Sequence, residues 1–211
     1  MAVKTVVTIS RQLGCGGAEV GRLIAAHLDL HYADSEILQL AAKELGVEEH
    51  EISWCDEKPS SPWDRLAAIF SVASPHHSYT PPPLRPIPNE ELFELEGKII
   101  RELADREDCV VVGRGAGYFL EEHPCATRVL LHAPLPFRIR RVMEIYGART
   151  PEKAKAMISQ SDRDRSLIMA RVGKTDWLCC ANYHLSLDTS VIPLDQVADL
   201  IVHYVRLRPS P

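Results

Sequence analysis

Apolar residues fall along this chain in short β-branched runs separated by stretches with helical spacing. Val3-Lys4-Thr5-Val6-Val7-Thr8-Ile9-Ser10 reads as a buried strand, and Val20, Leu23, Ile24, His27 and Leu28 follow with the i, i+3, i+4, i+7 spacing of a helix face. Gly14, Gly16 and Gly17 lie between them, so the chain opens as strand, glycine loop, helix. Asp34-Ser35 can cap a second helix whose apolar positions are Ile37, Leu38, Leu40 and Ala41, ending near Gly46. Eight prolines from Pro59 to Pro88 then break any long element around one short helix, Trp63 to Val72, and mark an inserted segment. Regular pattern resumes with Leu92, Leu95, Ile99 and Leu103 on one helical face. The strand Cys109 to Val112 follows, ending at Gly113-Arg114-Gly115. Arg128 to His132 reads as another strand, Ile139, Val142, Met143 and Tyr146 line a helix, and a polar helical stretch runs from Pro151 to about Val172. Tyr183 to Leu187 is a last strand before a helix around Val197, Leu200, Ile201 and Val205.

Short strands alternating with helices predict an α/β fold with a mostly parallel sheet flanked by helices on both faces. Ligands bind such sheets at the carboxyl ends of the strands. That rule gathers the Ser10 to Gly17 loop, Asp34, Arg114 and His132 on one rim.

Composition narrows the class. With 211 residues, 45% hydrophobic and 25% charged, the chain has apolar side chains for one core, and a single domain over 1–211 is expected. It has no apolar run of membrane length and no signal-peptide pattern, so a cytoplasmic protein without a membrane partner is expected. Its six cysteines form no CxxC pair, which argues against a zinc site and a disulfide scaffold. The net charge of −5 conceals a basic stretch: Arg138 to Lys174 holds ten Lys/Arg against four Asp/Glu, a net of +6. A basic segment in an acidic chain points to a small polyanion, not to nucleic acid. No residue pattern sets an oligomeric state.

The loop Ser10-Arg11-Gln12-Leu13-Gly14-Cys15-Gly16-Gly17 lies between a strand and a helix, where backbone N–H groups and a helix N-terminus can converge on phosphates. Glycines serve tight turns equally well. Asp34 can hold Mg²⁺ through water or bind a sugar hydroxyl, or simply cap a helix. Arg114, between two glycines, can present a planar fork to a phosphate or base edge, or close a structural ion pair.

The stretch from Thr8 to Val20 resembles the opening of the cytidylate kinase-like family, a branch of the P-loop nucleoside-monophosphate kinases, whose opening typically reads I-S-R-Q-x-G-S-G-G-x-E-I. The resemblance continues through Tyr32-Ala33-Asp34-Ser35, the proline-rich insert, Val112-Gly113-Arg114, His132-Ala133-Pro134, Arg138 to Val142, Gly173 to Trp177 and Asn182 to Ser190. It implies a P-loop NTPase-type sheet, ATP and Mg²⁺ as cofactors, and a small-molecule nucleotide such as CMP or dCMP as acceptor. By the same resemblance, Ser10, Gln12, Gly14, Cys15, Gly16, Gly17 and Ala18 would bind ATP, and Asp34, Arg114 and Asp188 the acceptor, with Asp34 also near the metal. Arg163 and Arg165 would belong to a lid over about 148–176, with about 48–90 as the acceptor-side insert.

One departure stands out. The pattern GxxxxGK[ST] is not met: Gly17 replaces the lysine, and Ala18 and Glu19 stand where the hydroxyl is expected. Either Arg11 or a lid arginine supplies the missing cation, or the protein binds nucleotide without transferring phosphate. A dinucleotide-binding reading, with Asp34 twenty residues beyond Gly14, fails on Glu19 at the third glycine position.

Overall fold

The computed structural model describes residues 4–34, 90–113, 115–172 and 176–209. The expected helices at 35–46 and 63–72, the proline-rich insert and Arg114 lie outside the described residues. The described elements are β1 (Val6–Arg11), α1 (Gly17–Leu28), β2 (His31–Ala33), α2 (Glu90–Arg106), β3 (Cys109–Val112), α3 (Ala116–Phe119), β4 (Ala126–His132), α4 (Leu135–Tyr146), α5 (Pro151–Val172), β5 (Leu185–Asp188) and α6 (Leu194–Leu207).

All five strands are parallel, in the order β2-β3-β1-β4-β5. β1 and β3 lie inside the sheet, with Val6 to Ile9 and Cys109 to Val112 buried on both faces, which is why neither reads as an alternating strand. Val7 and Ile9 face α1 and α6, packing with Val20, Ile24, Val197 and Ile201. Val6 faces the other way, toward Phe93, Ile100 and Phe119 of α2 and α3. A third cluster of Leu13, Val142, Ala154, Met157 and Ile158 fastens α4 and α5 to the loop after β1. The basic segment is thus mounted over the carboxyl end of the central strand.

Two boundaries differ from expectation. β4 starts at Ala126, two residues before Arg128, because Ala126 and Thr127 pair with Val6 and Val7. β5 begins at Leu185, not Tyr183: a 3₁₀ turn over Cys180–Asn182 precedes it, and the Tyr183 hydroxyl donates to the Trp177 carbonyl at 2.7 Å. Among the described residues no helix is long and apolar enough to cross a membrane.

Candidate functional site

β1 delivers the chain into a loop that turns on Gly14 and Gly16, at φ +84° and +86°. This left-handed region disfavours side chains, and space forbids them too. A Cβ on Gly14 would lie 2.7 Å from the Arg138 carbonyl oxygen, and one on Gly16 would meet a Leu194 methyl at 2.5 Å. The first helical bond of α1 runs from the Val20 N–H to the Gly16 carbonyl, so the N–H groups before it stand at the positive end of the helix dipole. A cavity of about 220 Å³ opens there. Its walls include the loop glycines, Arg11, Gln12, Ala18 and Glu19, with Arg22, Arg141, Tyr146 and Arg165.

Four arginines and one glutamate among these lining residues make the cavity cationic. Arg141 and Glu19 pair at 2.8 Å. Arg165 donates to Ser161 Oγ, lies 3.9 Å from Asp162 and sits 6.0 Å from the centre of the Trp177 ring. Burial, and after it the charge of Arg11, lowers the Arg165 pKa to about 10. Arg11 itself is 4.0 Å from Asp34, each side chain only 11% exposed. Two guanidinium groups held close enough to repel, beside a helix N-terminus, form a site built for an anion.

Arg138 has a different task. Only 4% exposed, it donates from Nε to the Leu13 carbonyl at 2.7 Å and from Nη2 to both Asp162 oxygens at 2.8 Å. It thereby ties α5 to the phosphate loop.

The structure sorts the expected residues. Gly14, Gly16, Gly17, Ala18, Gln12, Arg11 and Arg165 converge on the cavity. Arg163 does not: it is exposed and bonds Gln160 on its own helix at 3.1 Å. Ser10 faces the opposite side of β1, next to Gly117 and hydrogen-bonded to Tyr183. Cys15 is buried with its sulfur 3.5 Å from the Leu131 carbonyl. Gln12 spends its Oε1 accepting the Ala133 N–H at 3.2 Å. Ser10 and Cys15 build the loop from behind, and that bond pins Gln12 at the cavity wall. Asp34 lies at the end of β2, 9% exposed, and accepts the Tyr32 hydroxyl at 3.3 Å.

Asp188 closes β5 by accepting the Ser190 N–H at 2.8 Å; the Ser190 hydroxyl first, and this backbone bond after it, lower the Asp188 pKa. The neighbouring Thr189, 1% exposed, is the residue that reaches the loop, donating to the Cys15 carbonyl at 2.7 Å. Sequence reasoning placed Thr189 only beside Asp188 within the Asn182 to Ser190 resemblance, and missed Arg22 and Tyr146. Arg22 had a signal, standing one turn beyond Ala18 on the helix that leaves the glycine loop.

Burial raises the Cys15 pKa and pushes that of Cys109 up to about 12, whereas Cys179 and Cys180 are exposed. Alkylation of the native protein at about pH 8 is expected to label Cys179 and Cys180 and to spare Cys15 and Cys109 until the chain unfolds, read by peptide mass spectrometry. Rapid labelling of Cys15 would show that the loop opens readily.

The protein-family model that matches the chain is the cytidylate kinase-like family, over residues 6–191. No curated protein sequence matches. Among solved structures, an uncharacterized protein from Eubacterium ventriosum ATCC 27560 is similar at 19% identity and a TM-score of 0.70, over 97% of this chain and 100% of that one. Shikimate kinase from Acinetobacter baumannii, solved with shikimate, aligns at 13% identity and a TM-score of 0.53, over 97% and 94%. A gluconokinase from Sinorhizobium meliloti 1021 aligns at 14% identity and a TM-score of 0.53, over 98% and 94%. At these identities the structures speak for the fold, a parallel sheet flanked by helices as in P-loop kinases. The sequence match carries the rest: with residues 6–191 covered by its model, the chain belongs to the cytidylate kinase-like family.

Proposed function

We propose that this nucleotide-binding, kinase-like protein transfers a phosphoryl group from ATP to a nucleoside monophosphate of the CMP or dCMP type. The observation that carries the reading is the convergence of Arg11, Arg22, Arg141 and Arg165 on the cavity at the N-terminus of α1. Phosphoryl transfer asks little covalent chemistry of a protein. It asks for positioning and for positive charge around the moving group.

In this reading, the loop from Gly14 to Ala18 cradles the ATP phosphates with backbone N–H groups, and Arg165 faces them from α5. Residues 148–176 act as the lid, Asp34 and Arg114 hold the acceptor, and Asp188 lies at the nucleotide side of β5. A cytoplasmic setting supplies ATP and keeps the cysteines reduced.

Mg²⁺ fits the donors in a limited way. Among the described residues no group of three or more His, Cys, Asp or Glu could hold a metal, and Ala18 offers no hydroxyl. Mg²⁺ commonly takes one or two carboxylates and completes its shell with phosphate oxygens and water. Asp34 is a carboxylate of that kind, so it would hold the ion, directly or through water, and the ion would supply charge to the phosphates.

The test is titration with ATP and Mg²⁺ followed by a coupled ADP-release assay over a panel of nucleoside monophosphates. ADP release that depends on CMP or dCMP and is lost in Arg114→Ala supports the proposal. ATP binding without acceptor-dependent turnover replaces it with a nucleotide-binding pseudokinase.

A further inference from the structure

We propose that Gly17 and Gly113 are functional positions that together seat the Arg11 side chain, and that the phosphate-loop cation of this chain stands at the end of β1 instead of in the first turn of α1. The inference rests on the phosphate-loop reading above. Laying GxxxxGK[ST] on the chain puts Arg11 on the first glycine and Gly17 on the lysine. The two departures are an exchange: a cation is missing at 17, and one stands at 11.

The geometry couples the two positions. A Cβ on Gly17 would lie 2.7 Å from Arg11 Cβ and 2.8 Å from its Cγ. The Cβ is fixed by the backbone and cannot swing aside without moving β1. Gly17 opens α1 and, unlike Gly14 and Gly16, does not have a positive φ. Its backbone therefore makes no demand for glycine, and helices disfavour the residue. The contact with Arg11 is what keeps position 17 bare.

At the far end, a Cβ on Gly113 would overlap Arg11 Nη1, and Gly113 has φ +81° besides. The side chain thus threads between the start of α1 and the end of β3. It brings a nearly buried guanidinium to the wall of the cavity, 4.0 Å from Asp34. The space a lysine at 17 would leave from is filled by the stem of the arginine that replaces it. Arg11 is the cation at the site, and Gly17 and Gly113 are positioning residues acting through it.

A double-mutant cycle between Arg11→Gly, which removes the Cβ as well as the stem, and Gly17→Ala tests the seat by thermal unfolding without nucleotide. Gly17→Ala is expected to lower the melting temperature in the natural background and to leave it equal or higher in the Arg11→Gly background. Additive effects would overturn the seat. The exchange is tested by calorimetric titration with ATP and Mg²⁺. Arg11→Gly should weaken binding by about 10- to 100-fold, Gly17→Lys alone should bind no better than the natural protein, and the two changes together should recover at least about tenfold of the loss. A double variant binding no more tightly than Arg11→Gly would overturn the exchange. If the natural protein binds no ATP, the phosphate reading itself fails, while the unfolding cycle still decides whether Arg11 requires Gly17.

Discussion

Arg165→Ala is expected to cut acceptor-dependent turnover by about 100- to 1,000-fold at saturating ATP while moving the melting temperature of the unliganded protein by no more than about 3 °C. The two halves have one cause. Arg165 is held among Ser161, Asp162 and Trp177 with Arg11 as a cationic neighbour, and burial and that neighbour lower its pKa to about 10. Placing a cation where its charged form is disfavoured adds little to the stability of the empty protein. On the proposed function, a phosphate between the two guanidinium groups would turn their repulsion into shared attraction, a benefit that exists only with ligand bound and grows as charge develops on the moving phosphoryl group. Arg163→Ala is the control: that side chain is exposed and bonds only Gln160 among its described partners, so turnover should stay within about twofold. ADP release and thermal unfolding, each with and without ATP, check both variants. Damage from Arg163→Ala with Arg165→Ala harmless would invert the assignment.

That contrast also shows where the sequence could be read and where it could not. Strand, glycine loop and helix were legible from Val6 to Leu28 because the apolar period changes from continuous to helical across three glycines, and local chemistry dictates that change. β3 was legible as a buried run, and Asp34 fell on the rim because a parallel sheet brings its strand ends together. Arg163 and Arg165 were expected to act together, yet residues two apart on a helix do not share a face. That spacing held the answer, though not which of the two faces inward.

Arg138 and Arg141 are a harder case. They lie three apart on α4, within reach of each other's face, but Arg138 is buried against the Leu13 carbonyl and Asp162 while Arg141 reaches Glu19 at the cavity. Only the docking angle of α4 over the loop separates them, and the third cluster of Leu13, Val142, Met157 and Ile158 sets that angle. The separate task of Thr189 beside Asp188 is hidden from the sequence for the same reason. Its hydroxyl matters because the Cys15 carbonyl, distant in sequence, arrives 2.7 Å away.

The tertiary tie at Arg138 leads to a large expected effect on stability. Asp162→Ala should lower stability by about 3 kcal/mol, and hence the melting temperature by about 6 to 12 °C. Its carboxylate takes a two-oxygen contact from Arg138 Nη2, whose side chain is 5% exposed against 24% for Asp162. Without it, the guanidinium keeps the Leu13 carbonyl as its described partner and is left as a poorly compensated charge in the interior. The partial exposure of Asp162 keeps the loss at the lower end of the range for buried pairs.

Asp162→Asn, which retains acceptor and shape without charge, should fall between the natural protein and Asp162→Ala. The double change Arg138→Met with Asp162→Leu removes both charges and should melt above Asp162→Ala. It should not regain ATP affinity, because the Leu13 carbonyl loses the donor that fixes the loop below Gly14. Thermal unfolding and ATP titration on the three variants separate what the pair does for folding from what it does for the loop. Were Asp162→Ala to melt with the natural protein, α5 would not be what holds Arg138 in place, and the pair would not tie α5 to the loop below Gly14.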